Sequence, residues 1–379
     1  MASATGTLVA PSPVSHAPSV GWLRTVQFDF TLIVVVAVWA LAAGAAIVIE
    51  PSLFWPILFL DVWLLGYTHV ISTFTRLAFD RESFRQHRLL LIPLPFVVAA
   101  FTIALALVVG EWLVATVYLY AQWFHYTRQS YGISRMYLRK AGAIPASRDW
   151  VLDGVIYALP LWGILTRSHQ QPASFLSLPI YTFPVPTALL YVVGTVAAVS
   201  VALWIAREAK NIGRRRPDAP HSAYVASHIA IFAAGYLLIA DINTGWLVLN
   251  IWHNLQYVLI VWMFNANRSA KGIESERRFL STISQPRNVV LYAGVCWALG
   301  TALYFNIDGV LGLFSHSVLP LSLLAYMTIT STTTSSMRLS GAARGARVRP
   351  RTPSRGDEAW LSRDERQPQL SCSAPQASN

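Results

Sequence analysis

Gly245–Arg268 reads GWLVLNIWHNLQYVLIVWMFNANR, a stretch long and apolar enough to cross a bilayer that still carries Asn250, His253, Asn254 and Gln256 in its middle. A polar side chain at bilayer depth costs on the order of a few kcal/mol unless it finds a partner, so these groups should face the protein interior and mark a functional site. On a helix Trp246, Asn250, His253 and Tyr257 fall at i, i+4, i+7 and i+11, which is a single stripe. That stripe requires polar partners from elsewhere in the chain.

Composition sets the class. With 54% hydrophobic and 12% charged residues over 379 positions, a soluble domain is excluded and an all-α, polytopic integral membrane helical bundle is expected. Two cysteines, Cys296 and Cys372, make no disulfide framework. The sequence has no GxxxxGKS phosphate loop, CxxC metal pair, HExxH zinc helix or GxSxG elbow, so hydrolysis by those routes has no support.

Apolar runs predict about ten transmembrane helices: Phe28–Ile49, Leu53–Phe74, Leu89–Val109, Trp112–Gly132, Val151–Leu165, Val185–Ile205, Tyr224–Ala240, Gly245–Phe264, Val289–Tyr304 and Val310–Thr330. The fifth, interrupted by Pro160, and the seventh are short. Of the 29 basic residues, 28 fall on one side of this arrangement and only Arg167 on the other. The positive-inside bias therefore places both termini in the cytoplasm and predicts a multi-pass protein of a prokaryotic inner membrane. It also accounts for the net charge of +11 without nucleic acid as a partner. Residues 1–26 read as a disordered cytoplasmic leader, 27–337 as the transmembrane domain and 338–379 as a disordered basic tail.

Depth then groups the histidines. His69, His125, His228 and His253 come from four different spans, and at about 1.5 Å per residue all fall in one layer roughly 10 Å thick, in the cytoplasmic half. Polar residues repeat beside them, with Thr68, Ser72 and Thr73 near His69, and Tyr118, Gln122 and Gln129 at helical spacing around His125. Neutral imidazole is the commonest metal ligand, so these four are the candidate ligands of a transition metal, iron first, with copper or zinc as alternatives. Tyr257, Gln256 and Asp61 are the candidate catalytic groups. Asp61, about 12 Å outward of His69, is too far along the helix to share a metal with it and suits a proton path, a cavity wall or an ion pair. Trp123, Phe124, Tyr126, Trp246, Trp252, Tyr257 and Trp262 are expected mostly to face lipid or to pack, with only part of the set lining a substrate cavity.

Histidines clustered toward the cytoplasmic ends of membrane helices are similar to what membrane desaturases, hydroxylases and bacterial carotenoid-cleaving oxygenases use. This chain differs in having no HxxxH or HxxHH box, its histidines occurring one per helix. The expected function is a metal-dependent membrane oxidoreductase acting on a membrane lipid or other lipophilic small molecule, supplied by an electron donor. A proton-coupled transporter and a b-type haem protein with two axial histidines are the alternatives.

Overall fold

The computed structural model describes residues 21–312, apart from 78, 80–83, 87, 89, 90, 143–147, 215 and 217. The expected tail, and all but residues 310–312 of the tenth predicted span, lie outside the described residues, as do His16, His87 and His316. The described chain is helical almost throughout: α1 (Val26–Ile49), α2 (Pro51–Thr75), α3 (Pro93–Val108), α4 (Glu111–Lys140), α5 (150–169), α6 (Thr187–Ala209), α7 (Ala219–Leu238), α8 (Ile242–Arg268), the short α9 (Arg278–Ile283) and α10 (Val289–Gly312). Between α5 and α6 a small antiparallel hairpin pairs β1 (Ser174–Phe175) with β2 (Leu178–Pro179).

Six of these helices, α1, α2, α6, α7, α8 and α10, are long and apolar enough to cross a membrane, which makes the chain a multi-pass membrane protein. The other three predicted spans within the described residues are helical but do not meet that standard. α3 has 16 residues, about 24 Å of rise, short of a roughly 30 Å hydrocarbon core. α4 has 30 residues, but its inward face is studded with Gln, Thr, Ser and Tyr, which lowers its hydropathy. α5 is divided by a π turn over Gly154–Ala158. The seventh span begins five residues before its predicted start, at Ala219, with Pro220 in its first turn.

α8 is the axis of the bundle, with 83% of its apolar window buried. Asp241 starts it by accepting from the Thr244 amide at 2.7 Å. It packs against α1, α2 and the end of α7, while α10 closes on α2 and α6 on α5. Glycines set how near the helices come. A Cβ on Gly245 would lie 2.0 Å from the Gly235 carbonyl oxygen, and one on Gly44 would lie 2.4 Å from Val248, so the α7–α8 and α1–α8 contacts are backbone-close.

Among the described residues four helices contain a π turn: Thr31–Val35 in α1, Asp61–Gly66 in α2, Gly154–Ala158 in α5 and Ala234–Leu238 in α7. A π turn strands a carbonyl that the regular i→i+4 ladder would have used, and here side chains take them up. Gln256 of α8 donates to Leu32 at 3.2 Å, His228 of α7 donates to Val155 at 3.2 Å, Arg167 of α5 donates to Gly235 at 3.0 Å, and Thr68 donates to Leu64 within α2 at 2.5 Å. Three of the four are ties between helices.

Arg167, the lone basic residue expected outside, is 1% exposed. Its guanidinium donates to Gly235, to Ala240 at 2.6 Å and to Ile239, and so fills the last carbonyls of α7 while its charge faces the negative end of that helix. Of the aromatic residues expected to face lipid or to pack, Trp123, Tyr126, Trp246, Trp252 and Trp262 are buried and pack, while Phe124 is at the surface.

Candidate metal centre

His69 of α2, His125 of α4 and His253 of α8 converge. One ring nitrogen from each lies within 4.8 Å of the other two, and the ring centroids stand 4.7 Å apart for His125–His253, 4.9 Å for His69–His253 and 6.5 Å for His69–His125. Three imidazoles around one ion at 2.0–2.1 Å stand about 3.4 Å apart, so an adjustment of about an ångström closes this cluster on a metal. His69 and His253 are buried, and His125 is half-buried.

The local structure explains why these rings face each other. His69 follows the π turn of α2 by three residues. The Tyr257 ring stacks on it at 4.1 Å, and the Tyr257 hydroxyl pairs with Thr73 Oγ1 at 3.0 Å, so α8 holds the α2 imidazole in place. His253 is flanked by Tyr126, ring to ring at 4.8 Å, and its main-chain carbonyl accepts from Gln129 Nε2 at 3.1 Å. His125 and Gln129 are i and i+4 on α4, so one face of that helix supplies both a ring and a brace.

What these rings lack is as telling. His69 Nδ1 and His253 Nδ1 are buried and have no hydrogen-bond partner. A buried imidazole nitrogen left unpaired costs roughly 1–3 kcal/mol. Two such atoms in one cluster are the arrangement an ion would satisfy, and the donor set of three neutral nitrogens fits iron, copper or zinc.

Asp61 lies beside this centre rather than in it. Buried, it accepts from Asn250 Nδ2 at 2.5 Å and from Asn254 Nδ2 at 3.4 Å, and Asn250 accepts in turn from the Tyr126 hydroxyl at 2.8 Å. The carboxylate is thus wired to the residue that flanks His253, and its two hydrogen-bond donors are amides, not cations. Of the expected ion pair, cavity wall or proton path, the amide donors leave no ion pair among the described residues.

Two expected site residues stand elsewhere. Gln256 is turned to α1, where its amide caps the Leu32 carbonyl, because the stranded carbonyl of the α1 π turn lies against that side of α8. His228 is not in the trio. Its Nδ1 pairs with Ser130 Oγ at 2.7 Å and its Nε2 with the Val155 carbonyl at 3.2 Å, and the Tyr224 hydroxyl donates to Ser130 at 3.1 Å. A carbonyl can only accept, so His228 carries its proton on Nε2 and both its nitrogens are spent. The physical reason is rotation about α4: Ser130 follows His125 by five residues, about 140° around the helix, so His228 packs on a different face from the one that bears His125. The four-histidine set therefore narrows to three.

The partners on that other face are not among the expected site residues. Ser130 and Ser134 sit at i and i+4 on α4, and Ser134 Oγ pairs with Nε2 of the buried His221 at 2.9 Å. The matching signal was His221 and His228 seven residues apart on α7, visible only once that helix is known to start at Ala219. No family model, curated protein or solved structure matches this chain.

Proposed function

We propose that the chain is an integral-membrane, metal-dependent oxidoreductase of the non-haem oxygenase, hydroxylase or desaturase type, acting on a lipophilic substrate. The observation that carries the reading is the convergence of His69, His125 and His253 from three helices, with two buried ring nitrogens left without partners. A three-histidine set leaves coordination positions open, as a catalytic site requires, and iron bound there would supply dioxygen activation. The residues around it hold and shield. Tyr257 and Tyr126 fix the planes of His69 and His253, and the Asp61–Asn250–Tyr126 chain anchors the flanking ring. The half-buried His125 neighbours the lipid-exposed Phe124, which gives a hydrophobic molecule an approach from the bilayer.

Two features favour this over the alternatives. Haem needs room for a porphyrin plane between its axial rings, whereas Tyr257 and Tyr126 already fill the faces of His69 and His253. A proton relay needs continuous hydrogen bonds, whereas Tyr126 meets His253 by ring contact and its hydroxyl points to Asn250. The same reading includes ten membrane crossings, both termini in the cytoplasm and residence in a prokaryotic inner membrane, with an electron donor meeting the basic side.

The test is elemental analysis and a visible spectrum of detergent-purified protein, followed by oxygen uptake with an unsaturated lipid or isoprenoid. Iron without a Soret band, and uptake lost in His125→Ala, is the expected result. Metal-free protein that moves a solute across vesicles would end the reading.

A further inference from the structure

At the basic end of the bundle, between α4 and the start of α5, a cavity of about 630 Å³ opens to the surface. Arg128, Arg135 and Arg148 line it together with Asp149 and Asp153. Both acids are already committed. Asp153 holds Arg148 at 2.5 Å, and Asp149 accepts from the Leu152 amide at 3.1 Å and from Arg207 at 2.8 Å. Two guanidinium groups are left over. Arg128 donates to the neutral Tyr157 hydroxyl at 2.8 Å, and the half-buried Arg135 pairs with no acid among the described residues.

Sequence spacing puts the pair to common use. Arg128, Tyr131 and Arg135 are i, i+3 and i+7, so they share one face of α4, with the two arginines about 10 Å apart along the axis. Side chains that long converge readily on one tetrahedral anion set between them. The Arg128 guanidinium lies over the Tyr131 ring at 5.2 Å, and Tyr131 and Tyr157 stand 5.3 Å apart, which stiffens that wall. Ser134, held by His221, adds a hydroxyl. Beside the mouth, Arg148 covers the 70% exposed Trp150 at 4.2 Å, the pairing of indole and cation found at a membrane–water boundary.

We infer that this cavity binds a phosphate group, carried either by an anionic phospholipid headgroup or by a soluble phosphate compound, with Arg128 and Arg135 as its charge partners. The planar guanidinium fork matches phosphate oxygens two at a time, and a cavity at headgroup level excludes part of the water that would screen the charge. The inference stands apart from the metal centre and does not depend on it.

The full chain is placed in nanodiscs of phosphatidylcholine with and without phosphatidylglycerol, and retained lipid is read by native mass spectrometry. Inorganic phosphate binding to the detergent-purified chain is read by calorimetry. Arg128→Gln and Arg135→Gln should each weaken binding about tenfold, the worth of one charged hydrogen bond. Arg139→Gln, exposed on the same helix and outside the cavity, removes equal charge and should change nothing. Loss confined to phosphatidylglycerol identifies the headgroup, and loss of inorganic phosphate binding identifies a soluble ligand. Binding of neither probe, or an equal effect from Arg139→Gln, overturns the inference.

Discussion

Two groups of buried histidines flank α4, and they are finished differently. On one face His69, His125 and His253 gather ring against ring, and two of their nitrogens meet no donor or acceptor. On the other, His221 and His228 are each met by a serine of α4, and His228 spends its second nitrogen on a carbonyl that a π turn has freed. The residue type is the same, and four of the five rings are buried. What separates a ligand cluster from helix-to-helix hydrogen bonding is therefore whether the protein itself completes the rings.

The comparison breaks most visibly at the trio. Replacing His253 or His69 with Ala should weaken bound metal more than about 100-fold, because loss of a ligand exceeds the 10- to 100-fold typical of losing a ligand's partner. Elemental analysis of the dialysed protein reads it. Folding should persist in both, since α8 and α2 are held chiefly by apolar packing.

A satisfied group should show the reverse pattern. Arg167→Ala uncovers three carbonyls at the end of α7 and leaves a void under Gly235, so it should cost about 3 kcal/mol of stability, read as a lower melting temperature, with metal content unchanged. His228→Ala should behave alike at about 2 kcal/mol, since it orphans Ser130 and the Val155 carbonyl. Metal lost in step with the trio variants would erase the distinction between the two faces.

Asp61→Asn sits between the groups. It sets an amide against the Asn250 and Asn254 amides and loosens the chain to Tyr126, so metal affinity should fall about tenfold with modest loss of stability.

The smallest effect lies at the mouth of the satisfied face, at Asp149. Burial raises its carboxyl, but the Leu152 amide and Arg207 outweigh that and hold it below the usual carboxylate range. A depressed folded value stabilises above the unfolded one and is lost as pH falls through the folded one. The melting temperature should therefore drop on the acid side of about pH 4, and less steeply in Asp149→Asn.

The stripe on α8 was legible because polar side chains in an otherwise apolar span have few places to go: Asn250, His253 and Tyr257 all face the centre or its supports. Six spans were legible because their hydropathy is continuous. α4 was harder, since its apolar and polar faces average out, and its crossing rests on pattern alone. What spacing alone could not supply is azimuth, that is, which face of one helix meets which face of the next, because helix packing sets it. That is why His228 joined the trio on paper, and why Gln256 was expected near a metal when the Leu32 carbonyl had claimed it. The burial of Arg167 was not legible either, because charge counting assigns an arginine to a side of the membrane and does not say whether it is solvated or, as here, buried against the end of α7.

The measurement closest to the central claim is an X-ray absorption spectrum at the metal edge of the purified wild-type protein. Three imidazole nitrogens from one chain should appear at about 2.0–2.1 Å, with the same shell in His228→Ala and a shell reduced by one in His125→Ala. A shell without three imidazoles, or one that loses a nitrogen in His228→Ala and none in His125→Ala, would contradict it.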